Sequence, residues 1–278
     1  MKNEGRKESF EQSLILSSRD DQKINELSQL IDSELEKINA TQINKETLKQ
    51  YLEKFNSEIR RSNIDNDEEL ARVLSAINLF RYEFENMNEA YQGTFVLPKE
   101  VRDMLPNNGA YFEIGMGPGE NIITLAREKG LKGVSGCDIS SSMVYRAQRA
   151  YDVGEFFVGD AQDLLLAEES IDVAVICNAL DRIPTAKTTI EKIGRLVRPN
   201  GYLVVAQCDP FQNEFVDSEN GLRFVYVPGQ QQLNSVDEAI EAAGLNKTYR
   251  NSQPFKWYIN TLLYGKEELK VNIAIGQK

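Results

Sequence analysis

Two different rhythms of apolar residues divide the chain. Between about residue 13 and Phe84 they recur every three or four positions. Ile24, Leu27, Leu30, Ile31, Leu35 and Ile38 make one stripe, Leu48, Tyr51, Leu52, Phe55 and Ile59 a second, and Leu70, Val73, Leu74, Ile77 and Phe84 a third. Such spacing predicts amphipathic helices, with Asn44 and Asp65 as N-caps of the second and third. The other faces are Glu, Lys, Asn and Gln. Each helix therefore has one apolar side that must pack on the following domain or on a second copy of the chain, a route to a homodimer. Residues 1–12 are expected to be disordered, and residues 13–94 to form a helical cap or interaction segment.

From Ala110 the rhythm becomes short apolar runs alternating with helical stretches. Ala110–Ile114, Gly133–Cys137, Glu155–Val158, Ile171–Cys177 and Tyr202–Gln207 read as strands; Glu120–Lys129, Ser141–Ala150 and Thr185–Val197 read as the helices between them. Continuously apolar strands indicate a parallel sheet covered on both faces, so the pattern is α/β and doubly wound. Asp209–Gln232 shows no clear helix and is expected to be a lid-like insertion. A helix follows over Ser235–Ala243, with Gly244 suited to its C-cap. The last two runs, Leu245–Arg250 and Trp257–Tyr264, are too close for a crossover helix, and are expected to pair with each other as an antiparallel hairpin.

Composition narrows the classes. A net charge of −11 argues against a general grip on nucleic-acid backbones. No run reaches the roughly 18 apolar residues of a membrane span, and the charged start MKNEGRKESF lacks the apolar core of a signal peptide. The chain has no histidine, and its three cysteines, Cys137, Cys177 and Cys208, are far apart, without metal-ligand spacing. These features predict a cytoplasmic protein without disulfides or a metal. Each cysteine falls near a strand end, where a small buried apolar residue is weighed against a catalytic thiol.

The candidate chemistry begins at Glu113-Ile114-Gly115-Met116-Gly117-Pro118-Gly119, where the first strand turns into a helix. Glycines let backbone turn sharply and lie against a ligand, and the helix N-terminus adds free N–H groups. A dinucleotide fingerprint would need a third glycine at position 120, which is Glu120. No Lys-Ser/Thr pair marks a P-loop. A phosphate-free cofactor fits better, and S-adenosylmethionine, with a sulfonium and an amino group, is favoured by nearby carboxylates such as Glu113. Asp138 ends the second strand, 19 residues past Gly119, where an acid can accept from ribose hydroxyls. Ile139 can pack on adenine, Asp160 can accept from its amino group, and the Ala161 N–H can reach a ring nitrogen. Met143, Gln162 and Asn178 are taken as further cofactor contacts, Asn178 standing after the fourth strand, where acceptor meets cofactor.

Over about Phe95–Gly265 the sequence resembles the class I methyltransferase family. The resemblance rests on YFEIGMGPGENIITLA, GCDIS, FVGDAQDL, IDVAVICNALDRIP and LVRPNGYLVVAQ. It implies that residues 95–278 form a seven-stranded, mostly parallel sheet with an antiparallel C-terminal hairpin. It also implies direct methyl transfer from S-adenosylmethionine, with Gly115, Met116, Gly117 and Gly119 among the cofactor contacts. Two departures stand out. The stretch after Asp160 lacks the usual Pro-Phe and reads Leu164-Leu165-Leu166, and Asp181-Arg182 stand where small-molecule members often carry histidine.

Methyl transfer from a sulfonium needs alignment and exclusion of water, worth roughly 7–11 kcal/mol, and needs a base only where the acceptor arrives protonated. Without histidine, Asp181, Glu214, Tyr91 and Tyr226 are the candidates, Asp181 first, although a surface pair with Arg182 explains it as well. The acceptor is expected to be an N or O atom of a small molecule or peptide. Neither an Asn-Pro-Pro-aromatic segment nor a Pro-Cys nucleophile of nucleic-acid enzymes is present. Tyr82, Phe84, Tyr91 and Phe95, or Phe211, Phe215, Phe224 and Tyr226, are candidates to line the acceptor pocket, unless they only pack the helical segment on the sheet. A nicotinamide oxidoreductase and a non-catalytic scaffold or activator subunit are the competing readings.

Overall fold

The computed structural model describes residues 95–131, 133–183, 185–209, 216–218, 221–223, 233–261 and 265–278. The N-terminal stripes and the surface they offer a second copy lie outside the described residues, as does most of the 209–232 insertion. From that insertion only a two-stranded antiparallel ladder is described, Val216–Ser218 with Gly221–Arg223.

Elements are numbered here in chain order: α1 Lys99–Asp103, β1 Tyr111–Ile114, α2 Glu120–Lys129, β2 Ser135–Asp138, α3 Ser141–Ala150, β3 Glu155–Val158 and β4 Ile171–Cys177. There follow α4 Ala186–Leu196, β5 Val197–Asp209, β6 and β7 (the ladder above), α5 Val236–Ala242, β8 Asn246–Arg250, β9 Phe255–Thr261 and β10 Gly265–Gln277. The main sheet runs β3-β2-β1-β4-β5-β10-β8, with β9 also on β10. Its first five strands are parallel.

β4 sits between β1 and β5 because its residues can be buried on both sides: Val173, Ala174, Val175 and Ile176 are fully buried. Successive side chains of a strand point to opposite faces, and each face has its own core. Ile114, Ile176, Leu203 and Val205 pack with Ile190 and Ile193 of α4 and Val236 and Ile240 of α5. Tyr111, Val173, Val175 and Val204 pack with Val101 of α1, Ile122 and Leu125 of α2 and Val144 of α3. Each such aliphatic side chain removed from water contributes about 1.5–3 kcal/mol, which explains why the doubly wound pattern was legible. Two side-chain caps start their helices as expected of their residue type: the Ser140 hydroxyl accepts from Met143 N–H at 3.3 Å, and that of Ser235 from Glu238 N–H at 3.1 Å.

The C-terminal strands correct the sequence expectation. Leu245–Arg250 and Trp257–Tyr264 were expected to pair with each other. Instead β8 and β9 follow one another along the same edge of β10, both antiparallel to it. They run in the same direction, so they cannot form a hairpin together. The hairpin is β9–β10, and β10 is inserted between β5 and β8. Asn251 bridges the break before Pro254: its Oδ1 accepts from Ile273 N–H at 2.7 Å and its Nδ2 donates to Gln253 O at 2.7 Å. With β8 and β9 counted as one interrupted strand, the sheet has the seven positions anticipated.

Candidate functional site

The C-terminal ends of β1 to β4 open on a cleft of about 1020 Å3, its open mouth included. The turn after β1 is held to β2 by its own backbone: Met116 N–H donates to Cys137 O at 3.0 Å, and Gly117 N–H to Asp138 Oδ2 at 2.8 Å. Gly115 (φ +65°) has no room for a side chain, since a Cβ there would lie 2.5 Å from the Ala179 Cβ. The glycine turn thereby touches the loop that follows β4.

Glu113 is 1% exposed and lines the cleft, but its carboxylate serves α2. Oε2 accepts from Ile122 N–H at 3.0 Å and Oε1 from Asn121 Nδ2 at 2.9 Å. It caps, from the preceding strand, a helix whose N-cap residue, Gly119, has no side chain to do so. Burial pushes its pKa up to about 8, against the two hydrogen bonds, which pull it down. Asn121 reaches further: its Oδ1 accepts from Leu97 N–H at 3.0 Å.

Asp138 stands at the end of β2, its Oδ1 accepting from Ser140 N–H at 2.9 Å while Oδ2 holds the glycine turn. Ile139 and Met143 line the cleft beside it. Asp160, at the end of β3, accepts from Gln162 N–H at 2.9 Å and from Gln162 Nε2 at 3.1 Å; burial raises its pKa. Gln162 is itself fixed by Thr185 Oγ1 at 2.7 Å on its side-chain oxygen and by Lys192 Nζ at 2.6 Å on its main-chain oxygen. Asp160, Ala161 and Gln162 all face the cleft.

Asn178 follows β4 with a left-handed backbone, φ +50°, and its N–H donates to Ala206 O at 2.7 Å. Both side-chain polar atoms are buried without a hydrogen-bond partner. Cys177 lines the cleft as well, and burial pushes its thiol well above the ordinary range. That keeps it protonated near neutral pH, as expected of a buried apolar residue and not of a reactive thiolate.

Of the anticipated cofactor contacts, the structure thus brings all but one to the cleft. Gly119 does not line it; its N–H is used by Met116 O at 3.0 Å. Tyr91 and Tyr226 lie outside the described residues, as do Glu214 and the side chain of Asp181, whose backbone is in the turn Leu180–Arg182. The anticipated aromatic walls lie outside as well, except Phe95, which lines the cleft. Sequence reasoning missed Trp257 and Ile183 there and treated Arg182 only as an ion-pair partner. Trp257 meets Phe95 edge to face, ring centroids 6.0 Å apart. It is the single tryptophan of the chain, the one signal that could have flagged it.

A family model described as a methyltransferase domain matches residues 112–205. That span runs from β1 into β5 and holds the glycine turn, Asp138, Asp160 and Asn178. Over this span the chain is similar to class I S-adenosylmethionine-dependent methyltransferases. A demethylmenaquinone methyltransferase of Beutenbergia cavernae is 32% identical over 133 residues, 45% of this chain and 55% of that protein. A fatty-acid O-methyltransferase of Mycolicibacterium smegmatis is 27% identical over 100 residues, 35% of this chain and 36% of that protein. The matched part thus spans about half or less of these curated relatives. Among solved structures, a protein of Methanosarcina mazei described as an S-adenosylmethionine-dependent methyltransferase superposes with a TM-score of 0.52 at 18% identity. The match covers 66% of this chain and 99% of that one and supports the fold. Among the described residues no helix is long and apolar enough to cross a membrane.

The residues lining the cleft fit S-adenosylmethionine, the cofactor that this likeness implies. The glycine turn leaves the cleft floor without side chains at Gly115 and Gly117, and a Cβ at Gly117 would meet nothing within 4 Å. A carboxylate offers about four acceptor directions, so two backbone donors leave Asp138 capacity for a hydroxyl.

Proposed function

We propose that the protein transfers a methyl group from S-adenosylmethionine to an oxygen or nitrogen atom of a small molecule. The observation that carries this reading is the gathering of Gly115, Gly117, Asp138, Asp160 and Asn178 around one cleft at the strand ends, where open α/β sheets bind ligands. In this reading Asp138 holds the ribose, Asp160 and the Ala161 N–H hold the adenine edge, and Ile139 and Met143 pack on the base. When bound, S-adenosylmethionine supplies an electrophilic methyl, which the acceptor lone pair takes as the carbon–sulfur bond breaks with its electron pair left on sulfur.

The chain's own work is positioning and exclusion of water. Glu113 is committed to Asn121 and Ile122, so it is a poor base. Asp181, beside Arg182, is the proposed base for an acceptor that arrives protonated. The names of the two relatives, a demethylmenaquinone methyltransferase and a fatty-acid O-methyltransferase, favour a small molecule over a peptide.

Calorimetric titration with S-adenosylmethionine and S-adenosylhomocysteine tests the reading. Micromolar binding of both is expected; absence of binding by either overturns it.

A further inference from the structure

The lining of the cleft is not drawn from one part of the chain. The glycine turn, Asp138 with Ile139, and Asp160 to Gln162 follow β1, β2 and β3, which lie together at one side of the sheet. Phe95 and Trp257 also line the cleft, and Trp257 comes from the other side. It belongs to β9, which pairs with β10, and β10 lies beyond β4 and β5 in the strand order. Four strand spacings, roughly 19 Å along the sheet, separate β2 from β10.

Both rings are placed by the fold. Phe95 is 7% exposed and packs in the core that covers Val173 and Val175. Two residues on, the Leu97 N–H is fixed by Asn121, whose amide also reaches Cys177 Sγ at 3.6 Å, at the end of β4. Trp257 stands opposite Leu269 in the β9–β10 ladder, just past the break that Asn251 closes. The two ring centroids are 6.0 Å apart with the planes at 70°, the edge-to-face arrangement that aromatic pairs prefer. Both residues lie outside 112–205, the span that the methyltransferase-domain model matches. The pair therefore belongs to parts of this chain that the shared domain does not specify. Aliphatic side chains would exclude water from any apolar body. Two rings add contacts that another ring returns, because the positive edge of one meets the negative face of the next.

We propose that Phe95 and Trp257 form the acceptor wall and select a small molecule whose methyl-accepting atom is carried on or beside an aromatic ring. The inference rests on the methyl-transfer reading above. The acceptor's ring packs against the pair, and the atom that takes the methyl faces the glycine turn.

The test is calorimetry on the full chain loaded with S-adenosylhomocysteine, using 4-propylphenol and its saturated counterpart 4-propylcyclohexanol. The two probes share a hydroxyl and a propyl group and differ in the ring. The phenol should bind at least about threefold more tightly, the increment expected of a ring–ring contact. Trp257 is the single tryptophan of the chain, so its emission should change when the phenol is added. Trp257→Leu and Phe95→Leu keep apolar bulk and remove one ring each. Each should lessen the preference for the phenol and the two together should abolish it, with S-adenosylhomocysteine affinity unchanged; Trp257→Phe, which restores a ring, should retain it. Equal binding of the two probes, binding of neither, unchanged tryptophan emission, or a preference that survives the double variant overturns the wall. A loss of S-adenosylhomocysteine affinity in both leucine variants as large as the loss for the phenol overturns it as well, by assigning the pair to the cofactor. Failure of the wild-type protein to bind S-adenosylhomocysteine overturns the methyl-transfer reading instead.

Discussion

The side-chain amide of Asn121 donates to Glu113 Oε1 at 2.9 Å, and both residues are only 1% exposed. Through its other end Asn121 accepts from Leu97 N–H. One amide therefore joins the strand that starts the glycine turn, the helix that follows it and the segment carrying Phe95 to the cleft. Asn121→Ala leaves a buried backbone donor unpaired and the carboxylate short of a partner. It should lower unfolding stability by about 2–4 kcal/mol, read as a shift in denaturant midpoint. A midpoint within error of wild type would mean that Leu97 and Glu113 find other partners.

Glu113 makes the fold pH-sensitive. Its pKa in the folded chain is raised to about 8 by burial, against about 4.3 for an unfolded glutamate. Between those values the folded state binds more protons than the unfolded one, so stability falls as pH rises. The contribution is complete below about pH 4 and is lost as pH passes about 8. Thermal midpoints measured from pH 5 to 8.5 should decline more in the wild type than in Glu113→Gln, which does not titrate. Parallel curves would remove Glu113 as the cause.

At the glycine turn the obstacle to a side chain is a single methyl group. Gly115→Ala places a Cβ 2.5 Å from that of Ala179 on a backbone with φ +65°. Both the clash and the strain count against it, together about 2–4 kcal/mol. Adding Ala179→Gly relieves the clash and leaves the strain, so the double variant should recover part of the loss. No recovery in the double variant would place the whole cost in the backbone.

Asp138 carries two duties, a bond to the turn through Gly117 N–H and the proposed bond to ribose. Asp138→Ala should lose at least tenfold in S-adenosylmethionine affinity, since a charge-assisted hydrogen bond is worth about 1.5–3 kcal/mol. Asp138→Asn, which keeps one acceptor oxygen, should lose less. Calorimetric affinities unchanged in the alanine variant would place the ribose elsewhere.

The cleft thiol is inert in the folded chain. Burial holds Cys177 well above the ordinary thiol range and pushes Cys137 up to about 12. Iodoacetamide at pH 8 should therefore modify both more than tenfold more slowly in the native protein than in denaturant. Equal rates, read by peptide mass, would show that the cleft opens to solvent.

The strands that run unbroken in apolar residues were legible because burial on both faces imposes that pattern. β4 was anticipated to the residue, Ile171–Cys177. Asp138 and Asn178 were legible because each stands one step past such a run, and Asp160 because it stands two steps past one. The second half of the chain's last strand, Lys270–Gln277, was not, because it follows charged residues and has no partner nearby in sequence. Its pairing with Tyr202–Asp209 is a long-range match that local periodicity does not encode.

The amino-acid pattern alone settles the parallel α/β sheet, the glycine turn and the order of acids along the strand ends, since these follow from local burial and turn chemistry. Folding in three dimensions assigns the partners. It gives Glu113, which lines the cleft, the further duty of capping α2, commits the Gly119 N–H to Met116 O, and brings Trp257 from the far end of the chain beside Phe95. Each of these depends on which distant groups meet across the sheet. A side chain's chemistry is visible in its sequence neighbourhood, but the donor or ring that answers it is set by packing.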